Sequence, residues 1–160
     1  MSANNALLHT VTVWDLPTRL FHWTLVALMI GQWLTAESAS AMVYHVWGGY
    51  AVLALVLFRL IWGFAGSETA RFSHFVRGPG AALAYVQALL RGETPLYLGH
   101  NPMGGWSILA LLTLLLIQAG TGLFANDDIA FDGPLAGWVS KNMSDGLTTI
   151  HKLNFNLLLL

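Results

Sequence analysis

Cysteine is absent from the 160-residue chain, and charged residues make up only 9% of it. Without cysteine, the chain has no disulfide, iron–sulfur cluster, thiolate haem ligand or covalent haem attachment site. Any redox cofactor therefore has to bind non-covalently. A soluble domain usually carries about 25% charged residues. Because this chain is 56% hydrophobic instead, its composition predicts an integral membrane protein.

An excess of one charge sign is also missing. The formal net charge is -1 and no run of like charges occurs, so nothing in the sequence indicates a nucleic acid as partner. Residues 1–13 contain no Lys or Arg, whereas a secretory signal peptide has a basic start before its apolar core. We therefore predict that the first apolar segment is permanent.

Four apolar segments predict an all-α fold, a four-helix transmembrane bundle that forms one domain over residues 1–160. The predicted helices are residues 18–36, 43–64, 103–125 and 147–160. The first reaches the roughly 20 residues that a span needs once Phe21, Trp23 and Trp33 count as interfacial anchors. Asp15 and Pro17 mark its start. The fourth extends only about 21 Å at 1.5 Å per residue, so we expect it to be incomplete in this sequence.

The Lys and Arg residues favour one side of the predicted membrane. Four arginines precede the apolar segment of helix 1, which begins at Leu20, or lie between helices 2 and 3: Arg19, Arg71, Arg77 and Arg91. This bias predicts a cytoplasmic N-terminus and acidic loops outside. In the cytoplasmic loop, residues 79–90 predict a short helix, with Gly78 and Pro79 at its start and Gly92 after its end. It lies either along the lipid interface or on the surface without lipid contact.

The histidines divide into two groups. Three fall in the N-terminal tail or the cytoplasmic loop, where a solvated histidine needs no functional explanation: His9, His74 and His100. The other three, His22, His45 and His151, lie at the edge of or inside apolar segments, where ionisable groups are costly and usually face the bundle interior. Each of these, taken alone, is either a packing histidine or a metal ligand.

Matched depth favours a ligand role for two of them. His45 and His151 both lie near the outer end of their predicted helices, so two imidazoles at one level can hold a flat metallated ring between them. Gly48 and Gly49 follow His45 at the i+3 and i+4 positions and leave room for a porphyrin. Close packing by small residues is the alternative explanation for these glycines.

At the cytoplasmic end, His22 lacks a counterpart of similar depth. A residue 14 positions after His151 would return to nearly the same helix face, so we expect that partner beyond the sequence and a second ring plane roughly 21 Å from the first. Arg59 follows His45 by the same interval, and we predict that it pairs with a haem propionate. Snorkelling of Arg59 to the lipid headgroups is the alternative.

Zinc fits this pattern poorly, since it takes three or four clustered ligands and these histidines divide between two depths. Met29 and Met42 are possible axial ligands, but methionine also fills gaps in cores. The residues therefore favour b-type haem bound by two histidines. A His-lined transporter or channel without a redox role is the alternative, with Gln118 as its weak polar signal at mid-depth.

Several motifs carry a resemblance to a known family. They are VWDLPTRLFHW, HVWGGY, FRLIWGFAGSETARFSHF, GHNPMGG, TGLF, GPLAG and LTTIHK. The chain resembles the bacterial di-haem cytochrome b561 group, which includes the cytochrome b subunit of nickel-iron hydrogenases. The resemblance implies two haems b, with iron ligands at His22, His45 and His151. The second helix-4 histidine of the family has no counterpart in this sequence.

The resemblance also implies a function. It predicts a respiratory electron-transfer subunit of the bacterial inner membrane, which passes electrons between quinone or quinol and a periplasmic dehydrogenase, hydrogenase or c-type cytochrome. In that role the protein positions the haems and tunes their potentials, and no side chain acts as nucleophile or general base. A stand-alone membrane oxidoreductase, acting on a small oxidant or reductant at the outer face, is the alternative redox function.

Overall fold

The computed structural model describes residues 13–36, 38–93, 95–97, 99–129 and 131–159. These residues form helices and connecting turns, with an isolated β-bridge between Asn126 and Asp132. The α-helices are α1 (Leu16–Thr35), α2 (Met42–Ala65), α3 (Phe72–Phe75), α4 (Pro79–Leu90), α5 (Pro102–Gly122) and α6 (Lys141–Leu158). Short 3-10 helices lie at Ala39–Ala41, Glu68–Ala70 and Ala136–Trp138.

Two of the described helical segments are long and apolar enough to cross a membrane. They are Ala39–Ala65, which contains α2, and Pro102–Gly122, which is α5. Long helices α1 and α6 pack beside them, α1 against α2 and α6 against α5, while α2 packs against α5. The fold is thus all-helical around two apolar segments, and membrane crossing by α1 and α6 stays a prediction.

Helix α1 begins where Asp15 and Pro17 predict. The Asp15 carboxylate accepts a hydrogen bond from the Thr18 backbone N–H at 2.8 Å, and Pro17 lies in the first turn, where its missing N–H costs nothing. The same carboxylate also accepts hydrogen bonds from Trp62 Nε1 at 2.9 Å and from Ser67 Oγ at 2.6 Å. It therefore joins the start of α1 to the end of α2.

The buried core lies between α2 and α5. Val52 and Val56 of α2 pack with Leu112 and Leu115 of α5, and Val56 is completely buried. On α2, the buried positions 52, 56, 59 and 63 recur at the three- and four-residue spacing of one helix face. Arg59 therefore points into the protein, on the face that also carries the core valines.

Helix α3 closes the end of the molecule at which Arg59 lies, and two glycines allow its approach. A Cβ atom on Gly63 would lie 2.1 Å from the Phe72 ring, and one on Gly105 would lie 2.8 Å from the Phe75 carbonyl oxygen. Phe75 is buried in this contact. The glycines therefore let α3 pack closely onto both α2 and α5.

Helix α4 has the bounds that the sequence predicts. It starts at Pro79 and ends in a Schellman motif, in which Gly92 N–H bonds to Leu89 O at 2.9 Å and Glu93 N–H bonds to Ala88 O at 3.0 Å. Gly92 has a φ of 78°, a left-handed conformation that favours glycine.

Two helix ends differ from the sequence prediction by more than two residues. Helix α5 ends at Gly122 rather than at residue 125, because the following chain folds back and Leu135 N–H bonds to the Leu123 carbonyl at 2.9 Å. Helix α6 begins at Lys141 rather than at residue 147, since the Ser140 hydroxyl accepts the Met143 N–H at 3.3 Å and caps the first turn. A search for apolar residues missed this polar first turn.

Candidate cofactor site

The fold brings His45 of α2 and His151 of α6 together. Both side chains are half-buried, their ring centroids are 6.3 Å apart, and their planes make an angle of 75°. Two imidazoles bound to one metal ion from opposite sides, each through a nitrogen about 2.0 to 2.1 Å away, have centroids about 6 Å apart. The observed separation therefore matches a pair of axial ligands on a single iron.

Helix α1 holds the His45 ring from one side. His45 Nδ1 lies 3.2 Å from the Gln32 carbonyl oxygen and 3.3 Å from Thr35 Oγ1. In the opposite direction, Gln32 Nε2 donates to the His45 carbonyl at 2.9 Å. Gln32 and Thr35 are three residues apart and share one face of α1, so a single helical turn orients the ring.

Helix α5 holds the His151 ring in the same manner. His151 Nδ1 lies 2.8 Å from the Gln118 carbonyl oxygen and 3.3 Å from Thr121 Oγ1. Gln118 and Thr121 repeat the Gln-x-x-Thr spacing of α1. In each candidate ligand, Nδ1 thus contacts one Gln-x-x-Thr turn of a neighbouring helix.

A chain of amides fixes which nitrogen of His151 carries a lone pair. Asn154 is buried, and its Nδ2 donates to the Leu114 carbonyl at 2.9 Å and to Gln118 Oε1 at 2.8 Å. Gln118 therefore turns its Nε2, which only donates, toward His151 Nε2 at 3.1 Å. His151 Nε2 has to accept this hydrogen bond from Gln118, so the ring proton lies on Nδ1. An unprotonated Nε2 is the form that binds a metal, and an iron at this nitrogen would displace the Gln118 amide that now donates to it.

Glycines near the two rings fill different roles. A Cβ atom on Gly48 would lie 2.2 Å from Gln32 Nε2, so this glycine makes room for the glutamine. Gly49 has nothing within 4 Å of such an atom and leaves open space. On α5, a Cβ atom on Gly122 would lie 2.9 Å from His151 Cε1, so Gly122 lets the ring approach the helix.

The third apolar histidine, His22, lies apart from this pair. It lines an apolar cavity of about 420 Å³, within the size range of small-molecule and cofactor sites. Residues of α1, α2, α5 and α6 form the cavity walls, among them Met29, Trp33, Leu115 and Phe155. His22 is the one histidine among the described residues that line the cavity, so these walls bring no second imidazole to it.

Arg59 lines the same cavity and is only 4% exposed. Its Nη2 donates to the Ala70 carbonyl at 3.1 Å, and its guanidinium lies 5.1 Å from the Phe72 ring centroid. Its Nη1 is buried and has no hydrogen-bond partner within the described part of the chain. An unpaired nitrogen on a buried cation is costly, and an anionic group in the cavity would satisfy it.

The remaining histidines lie outside both places. His100 packs between Trp14, edge-on at a centroid distance of 4.4 Å, and Phe75, tilted at 5.0 Å. Burial lowers the pKa of His100, and the nearby charge of Arg59 lowers it further. His74 pairs with Glu68 at 3.9 Å, and His9 lies outside the described residues.

Sequence reasoning singled out the two histidines but missed the residues that orient them. The apolar pattern alone does not reveal Thr35, Thr121 and Gln32, and it makes Gln118 only a weak sign of a channel. The available signal was the repeated Gln-x-x-Thr spacing, because a polar pair three residues apart shares one face of an otherwise apolar helix.

The residues fit a haem better than a bare metal ion. Among the described residues, no group of three or more His, Asp or Glu side chains is placed to hold a metal. Two opposed imidazoles supply only the axial ligands of an iron, and a porphyrin supplies the four others. The unpaired Arg59 nitrogen in the separate His22 cavity is suited to a propionate, so the residues at both places fit the class of haem-binding membrane proteins.

The particular family follows from the sequence profile of prokaryotic cytochrome b561, which matches residues 13–160. The chain belongs to that family, so it is a b-type cytochrome that transfers electrons in a membrane. No curated protein and no solved structure matches it.

Proposed function

We propose that the protein carries electrons between the quinone pool and a periplasmic redox partner, through haem b held by His45 and His151. The observation that carries this proposal is the 6.3 Å separation of the two ring centroids, with the Nδ1 of each ring resting on a backbone carbonyl. A bound haem supplies a one-electron couple, and the protein sets its potential through the axial ligands and burial.

His22 and Arg59 form the second part of the proposal. They line one cavity and both lie at the opposite end of the helices from His45, since Arg59 is 14 residues from His45 on α2, which is about 21 Å along the axis. A second haem in this cavity, with His22 as a ligand and Arg59 on a propionate, would extend the path across the membrane.

Orientation and partners complete the proposal. Arg19, Arg71, Arg77 and Arg91 are exposed and lie in the segments near the Arg59 end, so that end faces the cytoplasm of a bacterial cell under the positive-inside rule. The His45 end then faces the periplasm, where a dehydrogenase, a hydrogenase or a c-type cytochrome exchanges electrons with the outer haem. Quinone or quinol reacts within the membrane.

The test is a reduced-minus-oxidised spectrum and the haem-to-protein ratio of the membrane-extracted protein. We expect His45→Ala and His151→Ala to lose the same haem component, because each removes one axial ligand of one iron. His74→Ala is the matched control, since His74 lies on α3 outside both candidate positions. His22→Ala should affect a different component.

Two outcomes would contradict the proposal. Wild-type levels of every haem component in both His45→Ala and His151→Ala would contradict haem binding by these two histidines. If the haem stays oxidised when a short-chain quinol is added to the wild-type protein, the proposed electron exchange with quinone or quinol is contradicted.

A further inference from the structure

Thr35 and Thr121 make the same hydrogen bonds within their own helices. Thr35 Oγ1 donates to the Gly31 carbonyl at 2.7 Å, and Thr121 Oγ1 donates to the Ile117 carbonyl at 2.6 Å. A hydroxyl has one proton, and in each threonine this proton is directed to the carbonyls of the preceding turn. Toward the histidine, each hydroxyl oxygen can therefore only accept a hydrogen bond.

This leaves one proton arrangement for each histidine. His45 Nδ1 faces Thr35 Oγ1 and the Gln32 carbonyl, and both of these atoms accept. His151 Nδ1 faces Thr121 Oγ1 and the Gln118 carbonyl, which also both accept. Nδ1 must carry a proton in both rings, and in the neutral imidazole Nε2 is left with its lone pair. For His151, the Asn154 and Gln118 amides lead independently to the same tautomer.

We propose that Thr35 and Thr121 are positioning residues, which fix the tautomer and ring orientation of the two axial histidines and thereby tune the potential of one haem iron. This inference rests on the proposed haem between His45 and His151. Hydrogen bonds to the outer nitrogen of a metal-bound histidine orient the ring and raise its basicity as a ligand. A more basic ligand stabilises ferric iron, so these threonines hold the midpoint potential down.

The test replaces each hydroxyl by a methyl group of similar size, in Thr35→Val and Thr121→Val. We expect each variant to keep its haem and to raise the midpoint potential of the component that His45→Ala removes. The ferric electron paramagnetic resonance spectrum of that component should change as well, because its largest g value depends on the angle between the imidazole planes, here 75°. Thr35→Ser and Thr121→Ser retain the hydroxyl and should restore both properties.

Thr113→Val is the matched control. Thr113 also lies on α5 and donates to the carbonyl four residues earlier, Leu109, at 2.8 Å, but it is exposed and contacts no histidine. Its substitution removes the same helix-internal bond without touching a candidate ligand. Any change common to all three valine variants therefore reports on the helix and not on the haem.

The outcomes separate this inference from the proposed function. Potentials and spectra in Thr35→Val and Thr121→Val that match Thr113→Val would overturn the inference, while a haem lost in His45→Ala would still support the function. If the valine variants lose haem, failure of the serine variants to restore it would also overturn the inference. If the wild-type protein has no haem component that depends on His45, the proposed function itself is contradicted.

Discussion

A single nitrogen atom, Nη1 of Arg59, indicates the chemistry of the cavity at its end of the molecule. The guanidinium is held by the Ala70 carbonyl and by the faces of Phe72 and Phe75, yet this nitrogen has no partner among the described residues. Snorkelling to lipid headgroups would leave the side chain at least partly exposed, whereas it is buried. The structure therefore favours an internal anion over a headgroup as the partner.

If the proposed second haem binds in this cavity, we expect Arg59→Gln to lower its midpoint potential. Loss of a positive charge beside a propionate stabilises ferric iron, by on the order of 1 kcal/mol at protein-like dielectric. A redox titration measures the shift. Arg91→Gln is the control, because Arg91 is exposed and its ion pair is with Glu93. Equal potentials in the two variants would contradict a role for Arg59 at the haem.

At the scale of helices, the candidate site at His45 and His151 is built from two similar pairs of helices. In each pair, a helix with a Gln-x-x-Thr turn precedes the helix that carries the histidine, α1 before α2 and α5 before α6. The connections differ, with residues 36–41 in one pair and residues 123–140 in the other. Because the two connections differ in length, the similarity of the α1–α2 pair to the α5–α6 pair does not appear as a repeat in the sequence.

Packing of α5 against α6 depends on Gly122. We expect Gly122→Ala to reduce the content of the haem proposed at His45 and His151, because its Cβ atom would lie 2.9 Å from His151 Cε1 and 3.2 Å from Nδ1. Overpacking of this kind typically costs about 1–3 kcal/mol and here would displace a candidate ligand. The haem-to-protein ratio measures the loss.

Gly146→Ala is the control for this substitution. Gly146 is exposed on α6 and has open space around the added Cβ atom, so its haem content should stay at the wild-type level. Full haem occupancy with an unchanged α-band in Gly122→Ala would show that His151 tolerates displacement, contrary to its assigned role.

The sequence predicted those helix features that depend on local chemistry. Asp15, Pro17 and Gly92 marked ends of α1 and α4, because caps and left-handed turns require few residue types. The end of α5 and the start of α6 depend on a returning loop, which periodicity cannot reveal. Likewise, the depth of His45 and His151 could be predicted, whereas the threonines at their Nδ1 atoms depend on how neighbouring helices face each other.

At the scale of the whole molecule, one carboxylate joins the first helix to the loop that follows the second. Burial opposes ionisation of Asp15, but hydrogen bonds from Ser67, Thr18 and Trp62 outweigh it and lower its pKa to about 2. Since the pKa is lower in the folded protein than its ordinary value of 3.8, the ionised group stabilises the fold above that value. This contribution is lost as the pH falls toward 2.

We therefore expect Asp15→Ala to lower the stability at neutral pH by about 1 kcal/mol, the usual worth of an N-cap, because the carboxyl is partly exposed and water screens its charge. The difference between wild type and variant should narrow as the pH falls from 3.8 to about 2. Thermal unfolding in detergent, followed by circular dichroism across this pH range, measures it. Asp132→Asn, in the exposed loop before α6, controls for charge alone. A stability gap between wild type and Asp15→Ala that does not change with pH would mean that the ionised carboxylate does not join the two helices.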